Sequence, residues 1–173
     1  AEATKLAYDA RDRFVTDPDH MDPVTRLQAD GLADKLAALI APDRVMPDAA
    51  RISEEVHRDT VYLTVVDNDR MAVSLIYSIF NSFGSGIGTE KFGLLMHNRG
   101  AGFSITEGHP NEAAPGKRPM HTILPGMMRQ EGRLLMPFGV MGGQYQAAGH
   151  ARFASNIADY GLDPQSALDA PRA

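Results

Sequence analysis

The 173 residues include 43% hydrophobic and 23% charged side chains, carry a net charge of −5, and contain no cysteine. This composition supports a buried core in one domain and excludes a disulfide framework, a thiolate nucleophile and a Cys-based zinc site. Acidic and basic residues are interspersed, so there is no basic footprint for nucleic acid, and no apolar run reaches the ~18 residues that span a bilayer.

The opening AEATKLAYDARDRF is charged and helix-periodic, with Ala3, Leu6, Ala7, Ala10 and Phe14 recurring at threes and fours. It has no signal-peptide h-region and begins without Met or a helix cap, so the sequence is expected to be part of a longer one. Asp17 and Asp19 beside His20 read as a capped turn rather than as metal ligands. Val24, Leu27, Leu32, Leu36, Leu39 and Ile40 predict a second helix, with Asp22 as N-cap and Pro23 in its first turn. Residues 1–43 are thus expected to be helical. Residues 44–59 turn to Pro, Asp, Arg and Glu without sustained period, which predicts an exposed, mobile linker.

At Thr60 the pattern changes. TVYLTVV is rich in β-branched and aromatic residues, the turn-like DNDR follows, and MAVSLIYSIF repeats the pattern, which predicts an antiparallel hairpin. NSFGSGIGTEKFG reads as a Gly-rich loop, FGLLMHN as a third strand, and NRGAGFSITEGHPNEAAPGKRP as a long loop. MHTILP reads as a short strand and RLLMPFGVM as a further strand ending at Gly142 and Gly143. Tyr145, Ala148, Ala151, Arg152, Ala154, Ser155, Ile157 and Ala158 mark a helix, with Gly161 near its C-cap and Pro164 beyond, and DPQSALDAP closes the chain with a short helix. Helices, then strands, then helices fit an α+β layered domain better than βαβ repeats.

Some motifs carry no function. GSGIG at Gly84–Gly88 is not a dinucleotide fingerprint, because no helix pattern or ribose-binding acid follows at the proper distance. PGKRP lacks the first glycine and the Ser/Thr of a P-loop. The six His residues show no paired helical spacing, so no metal and no cofactor is expected.

The segment HRDTVYLTVVDNDRMAVSLIYSIFNSFGSGI closely resembles the site at which γ-glutamyltranspeptidases cut themselves, with Val65, Val66 and Asp67 aligned without a gap. The resemblance continues through FGSG, LLMHN, PGKRPMHTILP, the Gly142–Gly143 pair and DYGL…DAPR, and AEATKLAYDARDRF with DPDH resembles the end of the family's first chain. It implies an N-terminal-nucleophile hydrolase with an αββα sandwich. Residues 1–43 would be the end of the large-subunit region, 44–59 the linker to the autocleavage site, and 60–173 the small-subunit catalytic region.

The same resemblance makes Thr60 the nucleophile and Asp59–Thr60 the bond that a zymogen severs. A threonine hydroxyl is a poor nucleophile until a base takes its proton, and a free α-amino group on the same residue, with a pKa of ~7.7–8.0, can serve. That amine exists only after the bond is cut. An acyl-enzyme would then form on Thr60 and be resolved by water or an acceptor amine, with glutathione metabolism as the family's setting.

By resemblance, Gly142 and Gly143 supply backbone N–H groups to the oxyanion and Ser78 holds the nucleophile. Arg99 can offer a bidentate fork to a substrate carboxylate. True transpeptidases carry an acidic pair where this chain has Ala101 and Gly102, and two serines where it has His121 and Thr122. Phe80 stands where they carry an amide and makes the pocket more apolar. These departures resemble the cephalosporin-acylase-like branch, so the expected substrate is a small-molecule or peptide amide with a γ-glutamyl, glutaryl or related acyl group. The remaining large-subunit region of the precursor is the expected partner, a homo-oligomer is left open, and so is the compartment, between a bacterial-like cytoplasm and a periplasm. The alternative is an incomplete piece that acts only structurally or in an interaction.

Overall fold

The computed structural model describes residues 1–21, 27–46 and 60–172, and these form two compact units. One comprises the described residues of Ala1–Glu54 with Gly100–His121, the other those of Glu55–Arg99 with Thr122–Ala173.

In the first unit, α1 (Glu2–Phe14) follows the predicted periodicity, and Val15 ends it by turning extended. Asp17 then caps a 3-10 turn at Pro18–His20 by accepting the Asp19 N–H at 3.2 Å, as the capped-turn reading expects. Its carboxylate, 2% exposed, also accepts the Arg118 backbone N–H at 2.7 Å and Arg118 Nη2 at 2.6 Å. These bonds hold the Asp17 carboxyl well below the usual carboxylate range and fasten the PGKRP loop beside α1. Asn111, also buried, donates to the Gly102 carbonyl at 2.7 Å and accepts the Met120 N–H at 3.1 Å, which orders the long loop from within.

The predicted second helix is shorter than its apolar pattern. Among the described residues of that stretch, the α-helix is α2 (Leu32–Ala37), which follows Gly31 at φ 73°, and Leu27 lies in a turn. The Asp-Gly step at Asp30 and Gly31 favours a turn over continuation, which overrides the spacing. The expected cap at Asp22 and Pro23, and the linker residues 47–59, lie outside the described residues.

The second unit opens with the predicted hairpin, β1 (Thr60–Val66) against β2 (Ala72–Ser78), in a register running from Thr60 opposite Ser78 to Val66 opposite Ala72. Asp67 closes its turn, accepting the Met71 N–H on Oδ1 at 2.8 Å. Because side chains alternate, Thr60, Tyr62, Ser78, Ile76 and Ser74 share one face. The other face is wholly apolar: Val61, Leu63 and Val65 oppose Tyr77, Leu75 and Val73, and these are 44% to 61% exposed.

Two predicted strands are corrected. FGLLMHN makes only an isolated bridge, Gly88 to Leu95, folding back on the glycine loop with Ser85 N–H on the Met96 carbonyl at 2.8 Å. MHTILP is irregular, and the strand begins where it ends: β3 (Gly126–Gln130) pairs with β4 (Arg133–Phe138). GMMRQ has weak β-propensity and is paired through the tight turn at Glu131 and Gly132, whose φ values of 51° and 77° suit a two-residue hairpin.

Helix α3 (Tyr145–Ala158) packs Phe153 and His150 on Phe138 of β4, with ring centroids 5.3 Å and 4.9 Å apart. Helix α4 (Pro164–Asp169), capped by Asp163, is held to α3 by Asn156 donating to the Ala167 carbonyl at 3.0 Å. The chain is thus mixed α and β, and the second unit's buried apolar centre comprises Ile76, Phe80, Phe153 and Ala167.

Candidate active site

Thr60 begins β1 and is buried at 9% exposure. The hairpin register sets it opposite Ser78, the last residue of β2, and its Oγ1 donates to Ser78 Oγ at 3.2 Å. The same Ser78 oxygen accepts the Phe80 N–H at 3.1 Å. Phe80 can aim its N–H there because the chain turns sharply after β2, placing it at φ 79°, a conformation that costs a bulky residue of order 1–3 kcal/mol. Its ring is 6% exposed and lies under the Arg99 guanidinium at 5.3 Å.

Arg99 reaches this place through the neighbouring backbone. Asn98 donates its N–H to the Ile79 carbonyl at 3.2 Å, and its side-chain oxygen accepts the Asn81 N–H at 3.0 Å. The Arg99 side chain is buried at 7% exposure, with Nη1 donating to Thr122 Oγ1 at 3.3 Å and Nη2 to the Ser78 carbonyl at 3.5 Å. The residues Thr60, Ser78, Phe80, Arg99 and Thr122 therefore form one chain of contacts: a hydroxyl pair at one end, a cation on an aromatic face at the other.

Gly142 and Gly143 lie on the turn between β4 and α3, at φ 120° and 56°. Their carbonyls start α3, accepting the Tyr145 and Gln146 N–H groups at 3.1 Å and 3.2 Å. Among the described residues neither glycine N–H donates to a backbone carbonyl, which leaves two adjacent donors unspent. His121 closes the first unit and is outside the cluster described for the second; Asp59 lies outside the described residues.

The sequence reading missed Gln146. It is fully buried, and its side-chain oxygen accepts the Leu124 N–H at 3.1 Å, fastening the segment that carries Thr122 to the start of α3. No local pattern singles it out, because α3 also carries His150, Arg152, Ser155 and Asn156. Chemically the second unit offers a buried alcohol held by a second alcohol, two adjacent backbone N–H groups at Gly142 and Gly143, and a buried guanidinium.

Comparison with known proteins gives a consistent result. The family model described as Gamma-glutamyltranspeptidase matches residues 1–173. Two similar curated relatives are the "Glutathione hydrolase-like YwrD proenzyme" of Bacillus subtilis, 36% identical, and the "Oxamate amidohydrolase proenzyme" of Klebsiella pneumoniae, 34% identical. Each match covers 99% of this chain and 32% of the relative, so the chain spans about a third of their length. Among solved structures, the cephalosporin acylase from Bacillus halodurans superposes with a TM-score of 0.85 at 39% identity, covering 99% of this chain and 31% of that one.

Proposed function

The chain belongs to the gamma-glutamyltranspeptidase family, in its acylase-like part, and from that premise we propose that it is the nucleophile-bearing portion of a self-processing amide hydrolase. The carrying observation is the buried Thr60 hydroxyl, at the first position of a strand, bonded to Ser78 Oγ at 3.2 Å.

In the first reaction the Thr60 oxygen attacks the Asp59 carbonyl and its proton passes to a base. The amide nitrogen then leaves with a proton, converting the amide bond into an ester, and water cleaves that ester to give Asp59 a free carboxylate and Thr60 a free amine. In the second reaction this amine takes the Thr60 hydroxyl proton, the oxygen attacks a substrate amide, and the protonated amine delivers the proton to the departing nitrogen. The acyl-Thr60 ester is resolved by water, or by an acceptor amine in a transferase turnover. Each attack develops an oxyanion, and the Gly142 and Gly143 N–H groups stabilise it; losing one such donor typically costs about 10²–10³ in kcat.

The acyl group sits towards Arg99, Thr122 and Phe80, and by resemblance His121 stands at a donor-binding position of the family. Arg99 selects a carboxylate, Phe80 favours an apolar methylene stem, and Ala101 with Gly102 supplies no acid for an α-ammonium. Glutaryl and related diacid amides are therefore preferred over γ-glutamyl donors. Residues 1–43 and 60–173 contribute to an αββα sandwich with the remaining large-subunit region, and 44–59 is the linker that is cut.

The experiment is intact mass on the full-length gene product. Wild type gives two fragments divided before Thr60, and Thr60→Ala stays whole and releases no anilide. A whole wild-type chain that is equally inert would rule the mechanism out. Strong glycylglycine stimulation confined to γ-glutamyl donors would overturn the acyl preference.

A further inference from the structure

We infer that Tyr62, Ser74 and Gly139 form a joint that seats the Gly142–Gly143 turn on the hairpin carrying Thr60, which makes them positioning residues for the acyl transfer; this rests on the reading of Thr60 as nucleophile. Tyr62 is two residues beyond Thr60 on the same face of β1, about 7 Å along the strand. Its ring packs against Gly139: a Cβ built there would be 2.3 Å from Tyr62 Cδ2 and 2.5 Å from Cε2. Gly139 is not among the positive-φ glycines, so glycine is required there by space rather than by backbone conformation.

The phenol is itself fixed. Tyr62 Oη and Ser74 Oγ are 2.9 Å apart, and Ser74 Oγ lies 3.5 Å from the Phe138 carbonyl, to which it donates. One face of the hairpin therefore grips the Phe138–Gly139 peptide twice, by a ring against its α-carbon and by a hydroxyl on its carbonyl. Gly142 follows three residues later, within about 10 Å of chain. The nucleophile and the oxyanion donors lie on separate elements, and this is the contact through which one could register the other. A slip of about 1 Å between them is of the size that costs roughly 10²-fold in rate. The residues facing the acyl group, Arg99, Thr122 and Phe80, have no part in the joint, so ground-state binding should be spared.

The test uses the full-length precursor with Gly139→Ala, Tyr62→Phe, Ser74→Ala and the double variant Tyr62→Ala/Gly139→Ala. Rates of self-cleavage are read by intact mass, and kcat and KM by anilide hydrolysis of the processed form. Gly139→Ala should slow cleavage and kcat by about 100-fold with KM within about threefold. Tyr62→Phe, which loses one hydrogen bond, should lower kcat about threefold, and Ser74→Ala, which loses two, about tenfold. The double variant, with room restored for the methyl group, should recover part of what Gly139→Ala loses, a pairwise rescue that general destabilisation does not produce. If wild type processes itself while Gly139→Ala cleaves and turns over within threefold of it, the joint is refuted and the Thr60 reading stands. If Gly139→Ala does not fold, the hydroxyl variants decide, and both remaining within twofold of wild type refutes the joint. An uncut, inactive wild type removes the Thr60 reading first and the joint with it.

Discussion

Ser78 Oγ takes hydrogen bonds from both Thr60 Oγ1 and the Phe80 N–H, so one oxygen links the proposed nucleophile to the start of the proposed acyl pocket. Ser78→Ala should slow self-cleavage and hydrolysis together by about 10- to 100-fold, while Ser78→Thr, which keeps the hydroxyl, should retain most of both. A time course of fragment masses beside anilide kinetics checks this. Arg99 makes a different prediction, because its guanidinium combines a fork geometry with an aromatic platform that an ammonium cannot match. Arg99→Lys should raise KM for a glutaryl anilide about tenfold or more and leave a neutral acyl anilide nearly unchanged. Equal effects on both donors would place the arginine outside the acyl site.

At the level of elements, α3 is coupled to β4 through Phe138, and His150 is part of that contact. Burial lowers the His150 pKa from its ordinary value, so the folded chain binds a proton there less readily than the unfolded chain does. Stability is therefore complete above the unfolded value of about 6.5 and falls as the pH drops through it toward the folded one. His150→Phe should narrow the difference in Tm between about pH 7.5 and about pH 5; an unchanged difference would show that another group carries the acid sensitivity. The elements also show what could be read in advance. The hairpin from Thr60 to Ser78, α1, α3 and α4 were legible because their apolar periods agree with their turn residues. The second helix and the strands around 92–98 and 120–125 were not, since Gly31 interrupts one and long-range partners decide the others. The Thr60–Ser78 pair was legible through family resemblance, whereas Gln146 and the Tyr62–Gly139 contact depend on tertiary packing that no local pattern announces.

For the whole molecule the informative surface is the hairpin's second face, where Val61, Leu63, Val65, Val73, Leu75 and Tyr77 lie open together. Contiguous apolar patches of this kind mark surfaces that are covered in the working protein, and each large side chain buried there contributes about 1.5–3 kcal/mol. Produced alone, residues 1–173 should bind a hydrophobic dye and self-associate, and the full-length precursor should do neither. Val73→Lys should reduce dye binding by the short form yet lower the Tm of the long one by several degrees. If the substitution leaves the long form's Tm unchanged, this face is uncovered there too.

The register of β1 bears on what the proposed scission would leave behind. Thr60 is the first rung of a ladder whose remaining rungs, Val61 to Val66, are already zipped to the opposite strand. A break on its upstream side would therefore leave Thr60 held in the strand it begins. Under the proposed mechanism the newborn terminus would stay moored by its own strand, with no search to make and little freedom left to surrender, so the amine would be born at its post.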